Sequence, residues 1–131
     1  MTGRYRIAAI PGDGIGPEVM EAAVEVLRAL EDRGGIGFDI VTLEAGDGLK
    51  ERTGVALPPE TLEEARRSDA GLFGAVGETA KEVILPLRQR LDLYANVRPA
   101  RAYPNVPCLK DGVDFVIVRE NTEDLYKMVG D

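Results

Sequence analysis

Short apolar runs alternate with longer stretches whose apolar residues return every three or four positions. Residues 7–10 form an unbroken apolar run closed by Pro11-Gly12-Asp13-Gly14, as expected for a buried strand entering a tight turn that glycine permits. Pro17 suits a first helical position and Glu18 complements the positive end of a helix dipole. Val19, Met20, Ala23, Val24, Leu27 and Leu30 then repeat with helical spacing up to Gly34-Gly35. Phe38, Ile40 and Thr42 alternate with Asp39, Val41 and Leu43, a second strand, whereas residues 46–54 mix glycine with charge and read as a loop or a short helix. Pro58-Pro59-Glu60-Thr61 opens a helix to about Arg67, and the small apolar residues 70–76 read as a third strand ending at Gly77. Val83, Ile84, Leu87 and Leu91 mark one face of a helix within residues 79–91. Residues 94–98 are extended, because Pro99 disfavours helix before it. Residues 102–112 carry Pro104 and Pro107 and form a loop; residues 115–118 are a short strand that runs into polar Arg119-Glu120-Asn121-Thr122-Glu123.

Strand and helix alternating in this way predict a layered α/β fold with a largely parallel sheet, whose ligands bind at the carboxyl ends of the strands. The Gly12 turn lies at such an end.

The chain has 131 residues, 44% of them hydrophobic, and is the size of one ordinary domain. Its formal charge of −7 excludes a global attraction to nucleic acid or to an anionic membrane. One cysteine, Cys108, and no histidine rule out an internal disulfide and a Cys/His zinc site built from this chain alone. That usage fits a reducing cytoplasm. The N-terminus enters an apolar stretch too brief for a signal segment or a membrane span, so a soluble protein is expected.

The segment Gly12-Asp13-Gly14-Ile15-Gly16-Pro17 misses the dinucleotide fingerprint G-x-G-x-x-G, whose third glycine would fall at Pro17. A plain strand-to-helix turn and a nucleotide contact both remain open there. Charge placement is more informative: between Pro86 and Pro107, Arg88, Arg90, Arg98 and Arg101 face Asp92 alone. Arginine grips carboxylates through a planar bidentate fork, so such a cluster, joined by Arg119 at a strand end, suits a dicarboxylate. Arg90 and Arg101 read better as solvated surface residues. Arg98 and Arg119, one inside Asn96-Val97-Arg98-Pro99 and the other directly after a strand, read at least as well as functional, and Arg88 falls between. Tyr126 follows a polar turn and is either a packing residue or a general acid.

Three segments in this order, Ile10-Pro11-Gly12-Asp13-Gly14-Ile15-Gly16-Pro17-Glu18-Val19, Leu91-Asp92-Leu93-Tyr94-Ala95-Asn96-Val97-Arg98-Pro99 and Val118-Arg119-Glu120-Asn121-Thr122-Glu123-Asp124-Leu125-Tyr126, carry a resemblance over nearly the whole chain. The chain resembles the β-decarboxylating dehydrogenases, the family of 3-isopropylmalate, isocitrate, homoisocitrate and tartrate dehydrogenases. The resemblance implies an isopropylmalate dehydrogenase-like layered α/β fold, not of the Rossmann type and here incomplete. It also implies hydride transfer from a 2-hydroxy diacid to NAD, with NADP as the alternative, followed by loss of the β-carboxylate. A divalent Mg²⁺ or Mn²⁺ would stabilise the enolate, its ligands lying outside this chain. Arg88, Arg98 and Arg119 match the arginines that hold the malate-like part of the substrate, and Tyr126 matches the tyrosine that protonates the enol. Ile15, Ala75, Val76, Glu78 and Thr79 would approach the cofactor.

Family members are at least about twice this length, as expected of two-domain chains. Residues 1–98 are therefore expected to be the N-terminal segment of the first, cofactor-side domain, and 99–131 the start of a second, dimerisation and substrate domain. Such a chain would be inactive alone and would belong to a cytoplasmic homodimer or higher oligomer. Within the family pattern, Ile84 and Leu85, the i−4 and i−3 neighbours of Arg88, face the γ-substituent of the substrate. Two apolar residues favour the isopropyl group of 3-isopropylmalate, and hence leucine biosynthesis, over the carboxylate tail of homoisocitrate or isocitrate. The non-enzyme alternative is an inactive fragment that binds a full-length partner.

Overall fold

The apolar run at residues 7–10 is the centre of β1 (Gly3–Gly12), which lies between two parallel neighbours. In a computed structural model describing residues 3–123, β1 pairs with β2 (Ile36–Thr42) from Gly3↔Ile36 to Ala9↔Thr42, and with β3 (Ala70–Ala75) from Ile7↔Ala70 to Gly12↔Ala75. The sheet order β2-β1-β3 means that the chain leaves β1 to one side and later returns to the other. The carboxyl ends of β1 and β3 therefore flank a topological switch point. The α/β fold with a parallel sheet is thus observed.

Helix α1 (Gly16–Asp32) packs across all three strands and α3 (Pro59–Arg67) packs against β1. Ile7, Ala8, Ala9 and Ile10 are consequently buried, with Met20 of α1 and Phe38 of β2 beside them in the core. Each buried isoleucine contributes about 1.5–3 kcal/mol relative to an exposed one. β1 starts four residues before the apolar run because its charged half is satisfied on the sheet. Arg4 pairs with Asp39 at 3.2 Å, and the Arg6 backbone N–H donates to Asp69 Oδ2 at 2.7 Å. Glu31 ties the end of α1 to β2 by accepting the Phe38 N–H at 2.6 Å; Arg28 beside it holds its carboxyl below the ordinary glutamate value.

The stretch left open as loop or short helix is α2 (Asp47–Thr53), closed by Gly54. α4 (Ala80–Arg90) buries Val83 and Leu87 and carries Pro86 in its interior. Two compact units result, Met1–Leu87 and Arg88–Asp131. In the second, β4 (Ala95–Arg101) and β5 (Asp114–Glu120) form an antiparallel ribbon with Asn96 opposite Arg119, Val97 opposite Val118 and Pro99 opposite Val116. Proline is tolerated because both strands of a two-stranded ribbon are edges. Val97, Phe115, Val116, Ile117 and Val118 are all exposed on it. No helix among the described residues is long and apolar enough to cross a membrane.

Candidate active site

The residues expected at the cofactor gather in the first unit, at the carboxyl ends of β1 and β3. Gly12 adopts φ +75°, and a Cβ there would run into the carbonyl oxygen of Ala75, so only glycine lets the two strand ends approach this closely. The approach is fixed by the Asp13 N–H, which donates to Ala75 O at 2.7 Å. Ile15, immediately before α1, is 61% exposed although apolar. Ala75 ends β3, Val76 follows it half-buried, Glu78 is exposed and Thr79 is buried.

Two aspartates organise this edge, and neither was singled out from the sequence. The Asp13 carboxylate accepts the N–H groups of Asp47 at 2.8 Å, Gly48 at 3.0 Å and Gly77 at 3.3 Å. It thereby satisfies the first turn of α2, whose own neighbours supply no side-chain cap. Asp47 repeats the operation on the segment that leads into α4. Its Oδ2 accepts the Glu78 N–H at 2.9 Å, and its Oδ1 accepts both the Thr79 N–H at 2.8 Å and the Thr79 hydroxyl at 2.6 Å. The Thr79 hydroxyl, then the N–H groups of Thr79 and Glu78, hold the Asp47 carboxyl below the ordinary aspartate value. The Thr79 side chain is thus committed to Asp47, while the Glu78 carboxylate remains exposed. A signal existed: Gly12-Asp13-Gly14 and Gly46-Asp47-Gly48 are the same tripeptide, an aspartate between two residues that let backbone come close.

The arginines expected to hold the diacid lie in the second unit. Residues opposite or two apart on an antiparallel ribbon share a face, so Asn96, Arg98 and Arg119 lie on one face, with Ile117 opposite Arg98. Arg98 Nε donates to Asn96 Oδ1 at 2.9 Å, and Arg119 donates to Asn121 Oδ1 at 3.5 Å. Asn121 is buried and its amide donates to Leu93 O at 3.1 Å, which anchors the end of the arginine strand to the segment before β4. Arg88 occupies the last turn of α4, where its carbonyl accepts the Leu93 N–H at 2.8 Å. Arg101 pairs across the ribbon with Asp114 at 3.6 Å, both side chains mostly exposed, the surface role expected of it. One turn before Arg88, Ile84 and Leu85 are half-buried, because Val83 and Leu87 take the core positions of α4. Tyr126 lies outside the described residues. Among those residues, no group of three or more acidic, cysteine or histidine side chains converges as metal ligands would.

Residues 6–130 match the family model described as isocitrate/isopropylmalate dehydrogenase. The chain is 55% identical to the 3-isopropylmalate dehydrogenase of Methanothermobacter thermautotrophicus, over 96% of this chain and 36% of that protein. It is 50% identical to the isocitrate/homoisocitrate dehydrogenase of Thermus thermophilus, over 93% of this chain and 37% of that protein. The crystal structure of isocitrate dehydrogenase from Methylococcus capsulatus superposes with a TM-score of 0.79 at 40% identity, covering 95% of this chain and 37% of that one. The chain therefore spans little more than a third of the length of these relatives.

Proposed function

The chain belongs to the isocitrate/isopropylmalate dehydrogenase family, and from that premise we propose that it is part of an NAD-dependent enzyme that oxidises and decarboxylates 3-isopropylmalate. The observation that carries this reading is the shared face of Arg98 and Arg119 on the β4–β5 ribbon. Two forks on one surface suit the two carboxylates of a malate skeleton. Arg88 completes the set as the third carboxylate-binding arginine.

NAD supplies the hydride acceptor when bound. Ile15, Ala75, Val76, Glu78 and Thr79 would hold it at the strand-end crevice, where glycine leaves room for close approach and Ile15 offers an exposed apolar surface to a flat ring. The arginines orient the hydroxyl carbon and withdraw the carboxylates from water, so the substrate is presented in one pose. We assign to Tyr126 the proton that the enol requires after the β-carboxylate leaves. Among the described residues no three acidic, cysteine or histidine side chains converge to hold Mg²⁺ or Mn²⁺.

Ile84 and Leu85 favour an isopropyl substituent, because a carboxylate tail against them would be desolvated without a partner. Leucine biosynthesis follows as the pathway. The runner-up substrate is homoisocitrate or isocitrate, favoured by the 50% identity to a relative named for both. We further propose that residues 1–98 belong to a cofactor-side domain and 99–131 begin a substrate and dimerisation domain, in a cytoplasmic homodimer or larger homo-oligomer. NADP is the alternative coenzyme.

The test is reduction of NAD and of NADP by the protein at its full native length, with Mg²⁺ or Mn²⁺ and each of 3-isopropylmalate, homoisocitrate and isocitrate. The highest kcat/KM for 3-isopropylmalate with NAD is expected. A preference for either tricarboxylate overturns the substrate assignment. No turnover of any of the three overturns the enzyme reading in favour of a fragment that binds a full-length partner.

A further inference from the structure

We propose that Asp13 and Asp47 form a two-carboxylate relay whose task is to position the segment 76–79 for the nicotinamide cofactor, with Asp47 the deciding member. The inference rests on the proposed dehydrogenase reading and adds to it two residues that do not themselves touch cofactor or substrate.

The hydrogen bonds run in one direction. Asp13 is fixed at the end of β1 because its own N–H is bonded to Ala75 O. Its carboxylate reaches 34 and 35 residues along the chain to the first N–H groups of α2, at Asp47 and Gly48. This places the Asp47 side chain, whose carboxylate accepts hydrogen bonds from Glu78 and Thr79. A local cap would bond its own helix; Asp47 bonds the two residues that precede α4 instead. Asp13 also accepts the Gly77 N–H, so both carboxylates grip the same loop from its two ends. Of the residues expected at the cofactor, Glu78 and Thr79 are held through their backbone by Asp47, which leaves the Glu78 side chain free to face a ligand. A site on a loop gains precision only if a supporting shell locks that loop, and a displacement of about 1 Å at such a position costs up to roughly 10²-fold in rate or affinity.

The chemistry of the acceptors gives the test its selectivity. Asp47→Asn keeps the shape but has one oxygen and one NH₂. If the oxygen serves the two Thr79 donors, the NH₂ faces the Glu78 N–H, donor against donor. In the enzyme at its full native length, Asp47→Asn should raise KM for NAD and the dissociation constant of NADH, measured by calorimetry, by about tenfold. KM for the hydroxy acid should stay within about twofold. Amide exchange at Glu78 should accelerate while that at Thr79 does not. Asp47→Glu restores the charge and should recover part of the NADH affinity; it also serves as the reporting variant if Asp47→Asn fails to fold, with a smaller cofactor effect expected. Unchanged NADH affinity, or losses in both Michaelis constants and in kcat that simply follow Tm, overturns the relay. A wild-type enzyme that binds no NADH overturns the dehydrogenase reading and this inference with it, and is told apart because the failure precedes any substitution.

Discussion

Replacing Gly12 or Gly14 by alanine separates two reasons for a glycine within one turn. Both residues have positive φ, +75° and +57°, but a Cβ on Gly12 would strike the Ala75 carbonyl whereas a Cβ on Gly14 meets nothing within 4 Å. Each substitution pays about 1–2 kcal/mol for a left-handed alanine, offset by about 0.4–1 kcal/mol from a stiffer unfolded chain. Gly14→Ala should therefore cost about 1 kcal/mol. Gly12→Ala must in addition push β1 and β3 apart at their ends. Overpacking adds about 1–3 kcal/mol, and loss of the 2.7 Å Asp13 N–H bond to Ala75 adds about 1 kcal/mol. The two variants should differ by about 2–4 kcal/mol, a large share of a typical stability of about 5–15 kcal/mol. Urea denaturation followed by far-ultraviolet circular dichroism measures this directly: at a slope of about 2 kcal/mol/M the midpoints should lie about 1–2 M apart with the slope unchanged. Midpoints within about 0.3 M of each other would refute the close approach of the strand ends.

Other consequences are as specific. The Thr122 N–H, with the Glu123 N–H and the Thr122 hydroxyl, holds the Glu120 carboxyl down at about 2 from an ordinary 4.5. The folded value lies below the unfolded one, so the stabilisation is complete above about 4.5 and fades as pH falls toward about 2. The stability gap between wild type and Glu120→Gln should therefore shrink between pH 7 and pH 3, and a gap independent of pH would contradict the bonding described. Arg119→Lys keeps the charge but loses the fork, and kcat/KM for the diacid should fall by about 10- to 100-fold; an unchanged value removes Arg119 from the substrate. Leu85→Arg should lower turnover of 3-isopropylmalate and raise that of homoisocitrate, and unchanged relative kcat/KM would sink the pocket assignment.

The parts of the fold that periodicity reports were legible: β1 from its apolar run, α1 from its stripe, β3 from small apolar residues and α4 from Val83 and Leu87. What escaped depends on partners distant in sequence. The charged half of β1, Gly3 to Arg6, is a strand because β2 pairs with it, and Arg4, opposite Gly37, reaches diagonally to Asp39. α2 is too short to signal itself, since seven residues are below what propensity sustains alone, and its cap comes from Asp13 rather than from an adjacent residue. The arginines were found by charge contrast, but the face shared by Arg98 and Arg119 follows from an antiparallel register that no local pattern encodes. Asp47 was missed because its bonds go to residues 78 and 79, more than thirty positions away, not to its own helix.

The central position of β1 also sets a timetable for synthesis. Ile7 finds its β2 partner, Ile40, after 33 residues but its β3 partner, Ala70, only after 63. At about 5–20 residues per second, the second edge of β1 waits roughly 1.5–6 s after Ile40 has been added. During that interval β1, α1 and β2 are a half-sheet with one unpaired, apolar edge, which is open to association with other chains. Slow codons between residues 43 and 70 would prolong this exposure, whereas slow codons after Ala75 has left the ribosome would find the edge already closed.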